Sequence, residues 1–319
     1  MTTTQITVLI DTYNYGRFIE EAIDSVLSQD FPMEQVQVLV VDDGSTDDTL
    51  ERVRKYGSRI EYFHKANGGQ ASALNAGFAR ARGEIVVLLD ADDYFLPGKL
   101  RRVAEEFRKR PDVGMVYNAL SELHMDSGRM VEVPFAGVIG FLPGDKKKLV
   151  TFCAYPTSCL AFRRGLAEKL LPIPESLRLQ ADGYVEHLAV LIAPVAAIPE
   201  VLSVYRVHGR NLYYAVDGLS AEEKRRRTDS YFSLMGEIKG WTQRHKAELN
   251  GPRTRLFFSS QLLHAEEHRF LMEAPGRLRY FWYLVRQNYV HGCLQTWRFT
   301  TLKYLLALAS LWTGYRDRK

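Results

Sequence analysis

Four apolar runs, each stopping at a polar cluster, dominate the first ninety residues. "ITVLI" runs into "DTYN", "VQVLVV" into "DDGS", "IEYFHK" into "NGG" and "EIVVLL" into "DADD". Between them lie segments of helical spacing. Tyr15 to Gln29 carries Phe18, Ala22, Ile23, Val26 and Leu27 on one face. "STDDTLERVRKY" opens on Ser45 or Thr46 as an N-cap with acids in its first turn, and "GQASALNAGFARA" is rich in small residues. Strand–helix alternation from the first residues predicts a parallel α/β sheet covered on both faces. Ligands of such sheets bind beyond the carboxyl ends of the strands. Four polar clusters on that one edge therefore describe a pocket.

The fourth run is the sharpest. Ile85 to Leu89 are all Ile, Val or Leu, as in a strand buried on both faces, and Asp90, Asp92 and Asp93 follow at once. Like charges crowded at a strand end are costly unless something positive sits among them. Beyond this point "GKLRRVAEEFRKR" reads as a helix closed by Pro111 and "VGMVYN" as a fifth strand. From Ser121 to Pro156 the pattern loosens into expected hairpins and a mobile loop, with Lys146 to Lys148 as a solvated turn. "YPTSCLAFRR" is strand-like, "DGYVEHLAVLIAP" a buried helix, and "PEVLSVYRVHGRN" a strand leaving into a polar loop. After Gly218 the chain turns helical, with Ser220 and Glu223 forming a capping box and Pro252 and Pro275 punctuating further helices. The expected organisation is an α/β region over 1–217 and a helical region over 218–319.

With 319 residues, 46% of them hydrophobic, the chain can bury a full core. Its net charge of +4 hides an asymmetry. From Arg277 to Lys319 eight Lys/Arg face Asp317 alone, so this tail carries +7 and the rest of the chain −3. Nucleic-acid binding does not follow from such a balance. Three cysteines without metal spacing, and no basic start before "ITVLI", fit a reduced cytoplasmic setting. The tail's apolar run "YLLALASLW" is far short of the roughly 20 residues of a spanning helix. Leu, Trp282, Trp297 and Trp312 among the cations suit a helix lying on an anionic membrane surface. Packing on the α/β region or on a second copy in a homodimer is the other reading.

"DTYNYGRFIEEAIDSVLSQ", "VLVVDDGSTDDT", "NGGQASALNAG", "GEIVVLLDADD" and "YRVHGRN" occur in this order. As a set they resemble the family 2 glycosyltransferases, over about Ile6 to Asn211. The resemblance implies a GT-A fold, a mixed sheet covered by helices that binds nucleotide sugars. It also implies transfer of a sugar from a nucleoside diphosphate to an acceptor with a divalent cation, Mg²⁺ or Mn²⁺, at the leaving diphosphate. By the same resemblance Asp92 is the direct metal ligand and His208 completes the metal site. Asp90 serves the ribose hydroxyls or an outer-shell water, and Asp93 caps the following turn. Arg206 either forks to phosphate or forms an ion pair near its strand end.

The nucleotide base needs a flat partner and a reader. Tyr13, with Thr12 and Asn14 in the same loop, supplies the face. Asp42 would accept the N3–H of uracil, which favours a UDP-sugar and leaves dTDP open. Gly68, Gly69 and Asn75 would let the backbone approach the pyrophosphate. The family often has Pro or Ser where this chain has Asp11. In inverting relatives the general base comes from an "ED" pair at a helix start; here Ala181 replaces the Glu and Asp182 remains as the expected base, with Glu186 or His187 as alternatives. The acceptor, whether glycan, lipid-linked or protein, stays open. A nucleotidyltransferase and a non-catalytic nucleotide-sugar-binding protein are the competing classes.

Overall fold

The computed structural model describes residues 4–135, 137–141, 155–209, 211 and 220–245. The chain divides into two compact units, Met1–Tyr214 and Ala215–Lys319. The first half of unit one is the predicted alternation. β1 (Ile6–Thr12), α1 (Gly16–Leu27), β2 (Val36–Asp42), α2 (Thr49–Arg54), β3 (Glu61–His64), α3 (Gln70–Phe78) and β4 (Ile85–Asp90) follow in turn, and the four strands are parallel in the order β3-β2-β1-β4.

Alternation along each strand decides what covers each face. Ile6, Val8 and Ile10 of β1, with Val38, Val40, Val87 and Leu89, form a core with Ile19, Ile23 and Val26 of α1. Leu9 points the other way, onto α3. There Gly77 lies so close that a Cβ would stand 2.3 Å from Leu9 Cδ1. Any larger residue there would force the buried Leu9 side chain to move, so glycine suits the close approach of α3 to the sheet.

One local expectation is corrected. α2 begins at Thr49, and Asp47 rather than Ser45 or Thr46 takes the Thr49 N–H, at 3.1 Å. The Ser45 hydroxyl instead accepts from the Asn14 N–H at 2.8 Å, tying the first polar cluster to the second.

After β4 the sheet ceases to be purely parallel. β5 (Tyr94–Phe95), α4 (Lys99–Lys109), β6 (Met115–His124) and its hairpin partner β7 (Arg129–Glu132) come next. Then follow β8 (Leu160–Arg163), α5 (Arg164–Leu170), α6 (Ala181–Ile192) and β9 (Val195–Val207). The strand-like "YPTSCLAFRR" is a strand only from Leu160, since Thr157–Cys159 forms a 3₁₀ turn. The sheet order is β3-β2-β1-β4-β8-β6-β9-β5, with β7 beside β6. β8 is antiparallel to β4 and β6, β9 is parallel to β6, and β5 is antiparallel to β9.

Only Ala91, Asp92 and Asp93 separate β4 from β5, yet β5 pairs at the far end of the order. The sheet must curl back on itself, and the acidic turn spans the curl.

In the second unit the described helix is α7 (Ala221–Arg244). It has the expected capping box: the Ser220 hydroxyl accepts from the Glu223 N–H at 3.2 Å, and Glu223 Oε2 accepts from the Ser220 N–H at 2.8 Å. The Lys146–Lys148 turn, the helices around Pro252 and Pro275 and the basic tail lie outside the described residues. Among the described residues no helix is long and apolar enough to cross a membrane.

Candidate active site

Asp90, Asp92 and Asp93 each bring a carboxylate oxygen within 4.8 Å of the others. Burial, reinforced by the charges of Asp11, Asp92 and Asp93, holds the Asp90 carboxyl well above the usual range. Burial and Asp92 do the same to Asp93. Such a group welcomes a cation or a proton.

The three are not equivalent. Asp93 does not cap the following turn; both of its oxygens cross to other elements. Oδ2 accepts from the Ser158 hydroxyl at 2.6 Å, and Oδ1 accepts from the Arg206 N–H of β9 at 3.0 Å. A polar side chain buried this fully takes whatever donors the fold brings to it. Arg206 is only 1% exposed. Its Nη1 donates to the Asp92 carbonyl at 2.7 Å, its guanidinium pairs with Glu21, and it lies over the rings of Tyr94 (4.7 Å) and Phe18 (5.2 Å). Of the two uses open to Arg206 from sequence, the structure has the ion pair, and the side chain supports the acidic turn from beneath.

That leaves Asp92 facing His208. Nε2 of His208 stands 2.9 Å from Asp92 Oδ2. Two ligands of an octahedral ion, each at about 2.1 Å and at right angles, lie about 3 Å apart. The pair therefore has the spacing of adjacent ligands, and with the carboxylates of the acidic turn it offers a divalent cation oxygen and imidazole donors. Packing holds the imidazole in place. Phe18 lies 4.8 Å and Tyr15 5.9 Å from it, centroid to centroid. The Asn211 amide clamps its loop, accepting from the His208 N–H at 2.5 Å and donating to the Arg206 carbonyl at 2.7 Å.

Around β1 and β2, Tyr13 is 47% exposed and free to meet a ring. Thr12 is buried in register with Asp42. Asn14 adopts φ 58° and accepts from the Thr46 N–H at 2.8 Å. Asp42 Oδ1 accepts from the Ser45 N–H at 2.7 Å, and Oδ2 accepts from the Tyr62 hydroxyl at 2.5 Å.

Asp43, which carried no sequence assignment, shapes the neighbouring loop. It accepts from Lys65 Nζ at 2.6 Å and from the Gly68 and Gly69 N–H groups at 3.0 and 2.6 Å. Gly69 has φ +87°, and a Cβ there would stand 3.1 Å from Arg178 Cα. The Asn75 amide is bonded both ways to the Ile173 backbone, at 2.8 Å each. Gly69 and Asn75 thus build a wall, with their polar groups turned into the protein.

Asp182 is the second residue of α6. Burial raises its carboxyl, and a hydrogen bond from the Thr157 hydroxyl to Oδ2 at 2.8 Å works against that rise. The two alternatives face the fold. Glu186 accepts from the Tyr155 N–H at 2.8 Å and is raised well above its usual range by burial. His187 Nδ1 is bonded to the Gly183 carbonyl at 2.6 Å, and burial pushes the ring down to about 4. Asp11, in register with Asp90, is raised to about 7 by burial and by the charge of Asp182.

A curled mixed sheet with an acidic turn at its carboxyl edge is a GT-A-type architecture. Residues 7–171 match glycosyl transferase family 2, and the chain belongs to that family. An uncharacterized glycosyltransferase of Nostoc sp. is 34% identical over 231 residues, covering 69% of this chain and 70% of that one. Residues 1–349 of S. aureus TarS in complex with UDP-GlcNAc superpose with TM-score 0.57 at 19% identity, over 99% of this chain and 92% of that one. A longer TarS chain gives TM-score 0.60 at 21% identity, and this chain spans 43% of its length. The Pyrobaculum calidifontis mannosyltransferase PcManGT, in complex with GDP-Man and Mn²⁺, gives TM-score 0.53 at 23% identity over 96% of this chain and 86% of that one. At these identities the solved structures speak for the fold.

Proposed function

We propose that the chain transfers a hexose from a UDP-sugar to an acceptor hydroxyl in one inverting step. The observation that carries this reading is the 2.9 Å approach of His208 to Asp92 at the carboxyl edge of the sheet. When bound there, Mg²⁺ or Mn²⁺ would neutralise the charge developing on the leaving diphosphate. In this reading Tyr13 stacks on the base, Asp42 accepts the uracil N3–H, and Thr12, Asn14, Gly69 and Asn75 shape the nucleotide walls. Asp90 meets the ribose hydroxyls, while Arg206 keeps Asp92 in place. Asp182 takes the proton of the acceptor hydroxyl. The acceptor is a glycan or lipid-linked molecule of the cell envelope, met in the cytoplasm, with the basic tail resting on an anionic membrane surface.

The test incubates the full chain with MnCl₂ and a panel of UDP- and GDP-sugars, chosen because TarS is described with UDP-GlcNAc and PcManGT with GDP-Man. Release of UDP from a UDP-sugar, abolished by EDTA, is the expected result. Ala181 in the place of the usual Glu favours a second reading, a nucleotide-sugar-binding protein without turnover. That protein would bind the same donor with Mn²⁺ and release nothing.

A further inference from the structure

Asp11 lies near the carboxyl end of β1, in register with Asp90 of β4. In-register residues of adjacent strands point to the same face, and for Asp11 this is the face of Leu9, which α3 covers. α3 packs against α6, and the first N–H of α6, from Ala181, donates to Gln70 of α3 at 3.0 Å. Asp182 follows directly. Asp11 is therefore near both the acidic turn and the candidate base, and it feels the charges of both Asp182 and Asp92.

Asp11 Oδ1 is buried and meets no donor. Gln180 Oε1, two residues before Asp182 on a residue of φ 61°, is likewise buried without a donor. Buried acceptors of this kind need a partner, and a ligand can bring it. Diphosphate oxygens are acceptors and anionic, so Asp11 repels them. A saccharide presents hydroxyl donors. In-line attack also requires the reacting sugar to lie between the leaving phosphate and the base, and Asp11 neighbours Asp90 and feels Asp182.

We infer that Asp11 is a specificity-determining contact for the transferred sugar, its carboxylate accepting a hydrogen bond from a sugar hydroxyl in the space between Asp90 and Asp182. The inference rests on the nucleotide-sugar reading of the site.

Calorimetric titration of the full chain in MnCl₂ tests it, with UDP against UDP-GlcNAc and GDP against GDP-mannose. The quantity read is the gain in affinity that the sugar adds to the bare nucleotide. In Asp11→Ser that gain should fall about tenfold or more, with bare-nucleotide affinity kept within about twofold. Asp11→Asn, of the same shape, should keep part of the gain, and it carries the comparison if the serine variant does not fold. An equal loss for nucleotide and sugar nucleotide, an unchanged gain, or no sugar gain in the unaltered protein overturns the inference while leaving the nucleotide site standing. No nucleotide binding by the unaltered protein overturns the functional reading and the inference together.

Discussion

The Thr157 hydroxyl donates to Asp182 Oδ2 at 2.8 Å. The next side chain, Ser158, donates to Asp93 and accepts from the Asp90 N–H at 3.1 Å. One short turn thus holds the candidate base and the acidic turn together. Burial raises Asp182 and the Thr157 bond lowers it, so removing the bond must raise it further. A base works only when deprotonated. Thr157→Val should therefore shift the acidic limb of the pH–rate profile to higher pH, while Thr157→Ser keeps the native profile. A lower rate with an unmoved limb would show that Thr157 only supports the fold.

Asp92→Asn should remove Mn²⁺-dependent UDP binding and turnover, because a neutral amide cannot balance the cation as a carboxylate does. His208→Ala should weaken Mn²⁺-dependent binding. Titration of UDP with and without EDTA reads both variants. Native binding and activity in Asp92→Asn would sink the metal assignment.

Asp42 is positioned by the Ser45 N–H and the Tyr62 hydroxyl, and Tyr13 lies exposed nearby. UDP should compete for the donor site better than GDP or ADP, and Asp42→Ala should erase that preference. Equal competition by all three in the unaltered protein would mean that Asp42 reads no base.

Lys99 is wholly buried, its Nζ bonded to Asn118 and within 3.4 Å of the Ser158 carbonyl and the Ser203 hydroxyl. Burial pulls the amine from 10.5 to about 8. Between those values the unfolded chain binds more protons than the folded one, so this residue's contribution makes stability rise with pH across the window. Lys99→Met should remove that component. Urea unfolding of both proteins at pH 7.5 and 9.5 checks the sign and the size.

The parallel half of the sheet is legible from sequence because each strand and helix there carries its own local period. β8 and β5 are not. Their antiparallel directions depend on partners far along the chain, and two residues of β5 hold no period at all. The acidic turn was visible as a charge anomaly, and its pairing with His208 followed from a motif resemblance rather than from spacing. Nothing in "TSC" marks Ser158 as a residue that bonds Asp93 across 65 positions. Nothing in the sequence tells Asp43 from Asp42, since only the fold decides which one accepts from the Gly68 and Gly69 N–H groups and which one meets Ser45 and Tyr62.

The strand jump between β4 and β5 bears on how the protein comes into being. During synthesis the acidic turn is made early, whereas its partners Arg206 and His208 emerge 113 and 116 residues after the aspartates they meet. Until β9 docks, β5 has nothing to pair with and the carboxylates have no imidazole beside them. A nascent chain stalled before Val195 would hold every aspartate of the turn yet lack the cradle for a cation.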